Sequence, residues 1–253
     1  MFPKSNQAPL GKVQTEETSL HLLKMNDFIA KNIRERLTAN RTLVVNICSS
    51  PGSGKTSLLQ ETAHRLKDQL KLSVLVGDLE TERDAERIRA AGIDSLQIVT
   101  GGTCHLEAQM VLQALDHIEL RGVDILFIEN VGNLVCPASF DLGEDYRVVL
   151  MATTEGDDKP KKYPRMFVTS ELLVISKSDL LPYLPFSVEA AVLDARDCNP
   201  AIEVLTLSSY KGEGMDEWCA WLLGKVAEKK AATEPAAAAI AAKAAEAAQP
   251  QLA

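Results

Sequence analysis

The run SSPGSGKTSLL, Ser49 to Leu59, holds the residue types and spacing that a phosphate ligand needs. It follows an apolar stretch and opens a helical one, so it reads as a phosphate-binding loop of the form G-x-x-x-x-G-K-[ST], with Ser49 in place of the first glycine. Gly52 and Gly54, on either side of Ser53, let backbone N–H groups converge on phosphate oxygens, and the helix that begins through Ser57 adds its partial positive charge. Lys55 would reach the β and γ phosphates, and Thr56 would offer its hydroxyl to Mg²⁺. Such a site also needs an acid at a neighbouring strand end to hold the Mg²⁺. Asp78 ends SVLVGD and Glu129 ends DILFIE, so both are candidates for this catalytic metal. Glu129 opens E-N-V-G, a D-x-x-G switch element with Glu for Asp, in which Gly132 would sense a γ-phosphate.

Base choice is written further along. Ser176-Lys177-Ser178-Asp179 resembles the N-K-x-D element of guanine-nucleotide proteins. Asp179 would accept from guanine N1–H and the 2-amino group, a donor pair that adenine lacks, and Lys177 would lay its methylenes along the base. Ser176 stands where Asn is usual and supplies a hydroxyl instead of an amide. Ser208, after the last apolar run, is expected to add a contact to the base through backbone N–H. A third cluster is made of soft ligands. Cys104 and His105 are adjacent after Gly101-Gly102-Thr103, and Cys136 lies just past E-N-V-G. Two thiolates and an imidazole suit Ni²⁺ or Zn²⁺, and three protein ligands leave one position open or available to a second chain. Cys48 and Cys219 sit in apolar surroundings and are expected in the core.

These residues need a frame that carries them to one edge. Seven short apolar runs, Leu43 to Cys48, Ser73 to Val76, Leu96 to Val99, Ile125 to Ile128, Val148 to Met151, Leu172 to Ile175 and Val204 to Leu207, alternate with amphipathic stretches. Runs apolar throughout suit strands buried on both faces, which predicts an α/β fold with a doubly wound, mostly parallel sheet and helices on both faces. Residues 1–40 read as an N-terminal extension, with a mobile lead-in over 1–14 and an amphipathic helix whose stripe is Leu22, Met25, Ile29 and Ile33. Residues 41–226 form the nucleotide domain, and 227–253 a low-complexity alanine-rich tail, of which 230–253 should be dispensable for folding. The net charge of -8 argues against a broad grip on nucleic acid. No apolar run reaches the roughly 18 residues of a membrane helix, so no membrane contact and a cytoplasmic location are expected.

Taken together, SSPGSGKTSLL, GDLETERDAERIRAAG, TGGTCHLEAQM, IENVGNLVCPASFDLGE, TEGDDKPKKYP and SKSDLLPY resemble the HypB family of hydrogenase nickel-incorporation GTPases over about residues 43–221. The resemblance implies a P-loop NTPase of the SIMIBI type that hydrolyses GTP, dimerises around nucleotide, carries a metal site at the dimer interface and delivers nickel, with other maturation proteins, to the hydrogenase large subunit. It implies the same roles for Lys55, Thr56, Asp78, Glu129, Lys177 and Asp179, and a metal site at Cys104, His105 and Cys136. The chain departs from some members in having no cysteine before Cys48 and only His21 in its lead-in, so no separate nickel-binding tail is expected. A urease-type accessory GTPase would share the chemistry but should show Cys-Pro-His, and here Ala138 follows Cys136-Pro137. A metal-binding dimerisation module that holds nucleotide with little turnover is the alternative from another class.

Overall fold

The computed structural model describes residues 10–78 and 83–247, with side chains over 20–78 and 83–234. The elements run α1 (Leu10–Ala39), β1 (Leu43–Ser49), α2 (Lys55–Leu66), β2 (Leu72–Asp78), α3 (Arg83–Ala90), β3 (Asp94–Val99), α4 (Ala108–Leu115), β4 (Ile125–Glu129), β5 (Tyr146–Ala152), α5 (Lys159–Lys162), α6 (Pro164–Val168), β6 (Leu172–Ser176), α7 (Val188–Cys198), β7 (Glu203–Thr206) and α8 (Met215–Ala247). Each of the seven apolar runs is a strand. All of them join one sheet in the order β3-β2-β4-β1-β5-β6-β7, and every pairing is parallel.

Alternation within the strands divides the core. Leu43, Val45 and Ile47 of β1 face one cluster with α2, α3 and α8, built on Leu58, Leu59, Ile88 and Trp218. Val44 faces the opposite side, where Ala30, Ile33 and Leu37 of α1 and Val111 and Leu115 of α4 pack. A third cluster on that side joins Cys48, Val149 and Met151 to Met166, Phe167, Ala191 and Ala195. Helices on both faces are what an all-parallel sheet requires, since neither face can meet water. Because every strand runs the same way, the loops after β1, β2, β3, β4, β5 and β6 emerge along one edge, where open α/β sheets bind ligands.

Three expectations shift. Residues 10–14 of the anticipated lead-in belong to α1, while residues 1–9 lie outside the described residues. Helix α1 buries Asn26, Ala30, Ile33 and Leu37, whereas Leu22 and Met25 of the expected stripe are 61% and 47% exposed. Both stripes satisfy a 3.6-residue period. What selects the observed one is its partner: Asn26 Nδ2 donates to Asp141 O at 2.7 Å and its Oδ1 accepts from Ala108 N at 2.8 Å. Within the stretch expected to be dispensable, residues 230–234 make contacts to the domain. Lys230 pairs with Asp124 at 2.5 Å, Arg41 Nη2 donates to Lys230 O at 3.2 Å, and Thr233 is buried.

Candidate functional site

Strand β1 ends at Ser49 and the chain turns through residues 50–54 into α2. Gly52 and Gly54 hold φ of 76° and 99°, a left-handed backbone that an L side chain resists, and Gly54 is the N-cap of α2. No side chain caps that helix end, so its first N–H groups remain for an anion. Lys55 is buried and its Nζ donates to Ser49 Oγ at 3.0 Å. The serine that replaces the first glycine of the pattern thus holds the lysine.

Thr56 Oγ1 donates to Glu129 Oε1 at 2.8 Å, so the hydroxyl and the β4 carboxylate meet. Glu129 Oε2 is buried with no hydrogen-bond partner among the described residues. An orphaned acceptor beside a second oxygen ligand fits a hard divalent cation such as Mg²⁺. Burial pushes the Glu129 carboxyl up to about 7, against the opposing pull of Lys55 and the Thr56 hydrogen bond. Asp78 stands at the carboxyl end of β2, which pairs directly with β4. Beyond Glu129 the chain passes Gly132, where a Cβ would lie 3.0 Å from Pro51 Cα, so the E-N-V-G segment rests against the phosphate loop. The Ser57 side chain is exposed on α2, with Arg87 Nη2 at 3.5 Å.

At the end of β6, Ser176 Oγ donates to Ser53 O at 2.7 Å and Lys177 Nζ donates to Gly52 O at 2.8 Å. The hydroxyl that stands for Asn ties the Ser176–Asp179 segment to the phosphate loop. Asp179 Oδ1 accepts from Ser208 Oγ at 2.5 Å. Ser208 contributes differently from the sequence expectation. Its own N–H donates to Glu213 O at 2.8 Å and is not free for a base, so its hydroxyl instead orients Asp179.

The soft-ligand cluster assembles on two loops. Cys104 and His105 follow β3, and Cys136 opens a 3-10 turn, Cys136–Ser139, beyond β4. The thiols stand 2.9 Å apart, Cys104 Sγ lies 4.0 Å from His105 Nδ1, and the three ligand atoms all fall within 4.8 Å of one another. His105 stacks on Phe140 with ring centroids 4.1 Å apart, and its Nε2 lies 3.6 Å from Glu107 Oε1. His105 Nε2 is buried without a hydrogen-bond partner among the described residues, and Nδ1 lies on the thiol side. Cys48 and Cys219 are buried away from the cluster, and burial drives the Cys48 thiol up to about 11. Among the described residues this is the one group of three or more His, Cys, Asp or Glu side chains able to hold a metal.

The family described as CobW/HypB/UreG, nucleotide-binding domain, matches residues 43–206. The hydrogenase maturation factor HypB of Escherichia coli K12 is 52% identical over 206 residues, covering 81% of this chain and 71% of that protein. The chain belongs to the HypB family. The hydrogenase/urease maturation factor HypB of Helicobacter pylori is 40% identical over 216 residues, covering 84% of this chain and 88% of that one. Among solved HypB structures, the one from Helicobacter pylori in complex with nickel superposes with a TM-score of 0.78 at 41% identity, covering 81% of this chain and 96% of that chain. HypB from Archaeoglobus fulgidus gives 0.75 at 39% identity, covering 80% and 99%.

Two polar residues beside the loop lie in the stretch TEGDDKPKKYP but carry no site role in the motif patterns. Glu155, just past β5, accepts from Ser53 Oγ at 2.7 Å and from Ala152 N at 3.0 Å. Burial opposes its ionisation, but hydrogen bonds from Ser50 and Ser53 outweigh it and hold the carboxyl below its ordinary range. Lys159 Nζ lies 3.3 Å from Glu155 Oε2 and 3.5 Å from Ser50 Oγ, so Lys55 is not alone as a cation near the phosphate loop. Their signal was an acid and a lysine four residues apart at a carboxyl strand end, legible only once β5 is known to neighbour β1.

Proposed function

We propose that the chain is a GTP-hydrolysing metallochaperone that helps insert nickel into [NiFe]-hydrogenase during maturation of that enzyme. The reading rests on one juxtaposition: Cys104, His105 and Cys136 converge on strand-end loops, and the segment that carries Cys136 packs through Gly132 on the phosphate loop at Pro51. The names of the relatives and the nickel in the Helicobacter pylori structure support the destination and the cargo.

In this reading the loop N–H groups and the α2 N-terminus bind the phosphates, and Lys55 offsets charge developing between the β and γ phosphoryl groups. Thr56, Asp78 and Glu129 would hold Mg²⁺, which would supply positive charge to offset that of the phosphates. Asp179, aligned by Ser208, accepts from the two guanine donors, and Lys177 covers the base. Nickel is the cargo of the Cys104, His105 and Cys136 cluster, and zinc suits the same donors. Three ligands leave a tetrahedral or square-planar shell incomplete, so a second copy of the chain is the natural source of the rest, giving a homodimer that responds to nucleotide and metal. Other maturation proteins and the hydrogenase large subunit are the partners, in the cytoplasm. The Helicobacter relatives are named for urease as well as hydrogenase, which keeps a urease role as the second reading.

The test is to follow GTP and ATP turnover together with Ni²⁺ and Zn²⁺ titrations in the GDP and GTP-analogue states. GTP should be hydrolysed in preference to ATP, Lys55→Ala should abolish turnover, and Cys136→Ser should weaken Ni²⁺ binding at least tenfold. Bound GTP with no turnover would reduce the protein to a nucleotide-dependent dimerisation module, and Ni²⁺ binding indifferent to Cys136 would remove the cargo site.

A further inference from the structure

Between the phosphate loop and the soft-ligand cluster runs a chain of buried polar side chains that neither site uses. Its first member is Asn130, the residue after Glu129, 1% exposed. Asn130 Oδ1 accepts from its neighbour Val131 N at 2.9 Å, on the way to Gly132, and from Leu106 N at 3.4 Å, the residue after His105. Asn130 Nδ2 donates to Asn46 Oδ1 at 3.3 Å. Asn46, fully buried in the middle of β1, donates from Nδ2 to Glu144 Oε1 at 3.0 Å. The same oxygen accepts from Arg147 Nε at 3.0 Å and Nη2 at 2.7 Å, while Leu142 N donates to Oε2 at 2.7 Å. Arg147 then donates from Nη2 to Phe140 O at 2.8 Å and from Nη1 to Ala138 O at 3.5 Å. Those carbonyls belong to the turn that starts at Cys136 and to the residue whose ring backs His105.

Two asparagines, a glutamate and an arginine withdrawn from water cost free energy unless nearly every donor and acceptor is met. Here the contacts end on backbone groups or on the next member, apart from Arg147 Nη1, which also donates to Thr169 Oγ1 at 2.9 Å, and Asn46 Oδ1, which also accepts from Cys48 Sγ at 3.5 Å. The two ends of the chain are informative. One is a backbone N–H of the switch that touches the phosphate loop. The same Asn130 oxygen also takes the amide beside His105, and the other end, Arg147, reaches the turn of Cys136. A core that needed only stability would fill these positions with apolar side chains.

We infer that Asn130 is a positioning residue that transmits the nucleotide state to the nickel ligands. This rests on the coupling of nucleotide and metal in the function proposed above. A shift of Val131 and Gly132 toward a γ-phosphate displaces the Asn130 carboxamide, because the amide that moves is one of its donors. The carboxamide cannot then keep both Leu106 and Asn46, so the spacing of His105 and Cys136 changes with it. Asn130 itself contacts neither phosphate nor metal.

Asn130→Ser tests this directly. A serine hydroxyl can still accept from Val131 N and keep the local turn, but it is too short to reach Asn46 or Leu106. Ni²⁺ affinity and the nickel-thiolate absorption band are measured in the GDP and GTP-analogue states of the full chain, together with affinity for the GTP analogue without metal. In the unaltered protein the two states should differ in Ni²⁺ affinity by a factor in the range of about 5 to 150. Asn130→Ser should bring that factor close to one and make the two spectra coincide, with metal-free nucleotide affinity held within a few-fold. Asn46→Ser, which leaves Asn130 bonded to Val131 and Leu106, should lower the factor by a lesser amount and answers the question if the first variant does not fold. A variant that folds and keeps the full factor overturns the role of Asn130 while leaving the coupling intact. A factor of one in the unaltered protein overturns both.

Discussion

Glu129 is the residue whose protonation the fold controls most visibly. Its carboxyl rises from an ordinary 4.5 to about 7 because burial withdraws it from water. Between those values the native state holds a proton that the unfolded chain has lost, so stability is greatest at the acid end of this window and falls as pH rises through it. The full difference corresponds to roughly 3 kcal/mol at one pKa unit per 1.4 kcal/mol. Urea unfolding of the metal-free and nucleotide-free protein between pH 5 and 8 should show this decline, and Glu129→Gln should flatten it. An unchanged slope in that variant would assign the pH dependence to another group. Base choice also belongs to single residues. Asp179→Asn replaces an acceptor of two donors by a group that offers one donor and one acceptor, so GTP affinity should fall by tenfold or more and xanthosine triphosphate should gain. Competition binding with the two nucleotides decides it. Both residues could be proposed from sequence because each sits in a contiguous motif. Ser208 was legible as a neighbour, but its mode was not, since the partner of its N–H, Glu213, is set by how the β7 to α8 loop closes.

The elements hold each other through polar contacts that periodicity does not register. Helix α4 begins at Ala108 without a side-chain cap from its own Glu107, and the missing acceptor comes from Asn26 on α1. The same side chain satisfies Asp141 O, at the far end of the segment that carries Cys136. Removing it leaves a helix N–H and a carbonyl unpaired in the interior, at about 1 to 3 kcal/mol for each group not rescued by water. Asn26→Ala should lower stability by about that amount and raise hydrogen exchange at the start of α4 while sparing α2. Uniform exchange across both helices would show that α1 is not what caps α4. The seven strands, in contrast, are recoverable from the apolar runs. A strand buried on both faces must be apolar at nearly every position, so tertiary burial writes itself directly into local sequence.

At the scale of the molecule, α8 closes the sheet and reaches back to its start. Trp218 is fully buried against α2 and donates to Thr62 Oγ1 at 2.8 Å, and further along Lys229 meets Asp145 at 2.6 Å while Lys230 meets Asp124. A chain cut after Glu234 should unfold at the same urea concentration as the whole, whereas one cut after Glu228 should lose about 1 to 3 kcal/mol, because Asp145 and Asp124 lose their cations. Equal stability of the two truncations would show that these pairs contribute nothing. Contiguous sequence was enough for the strands and the phosphate loop, and it named the proposed guanine element and soft ligands, since each depends on neighbours in the chain or on burial that demands apolar residues throughout. Only the packed structure could bring Cys104 and Cys136 to 2.9 Å, because β2 separates β3 from β4 in the sheet and their loops must meet across its end. It also chose which stripe of α1 is buried, put Glu155 and Lys159 beside the phosphate loop, and strung Asn130, Asn46, Glu144 and Arg147 into one chain. These are relations between residues from 3 to about 100 positions apart, and the hydrogen bonds that fix them leave no period or motif in the sequence.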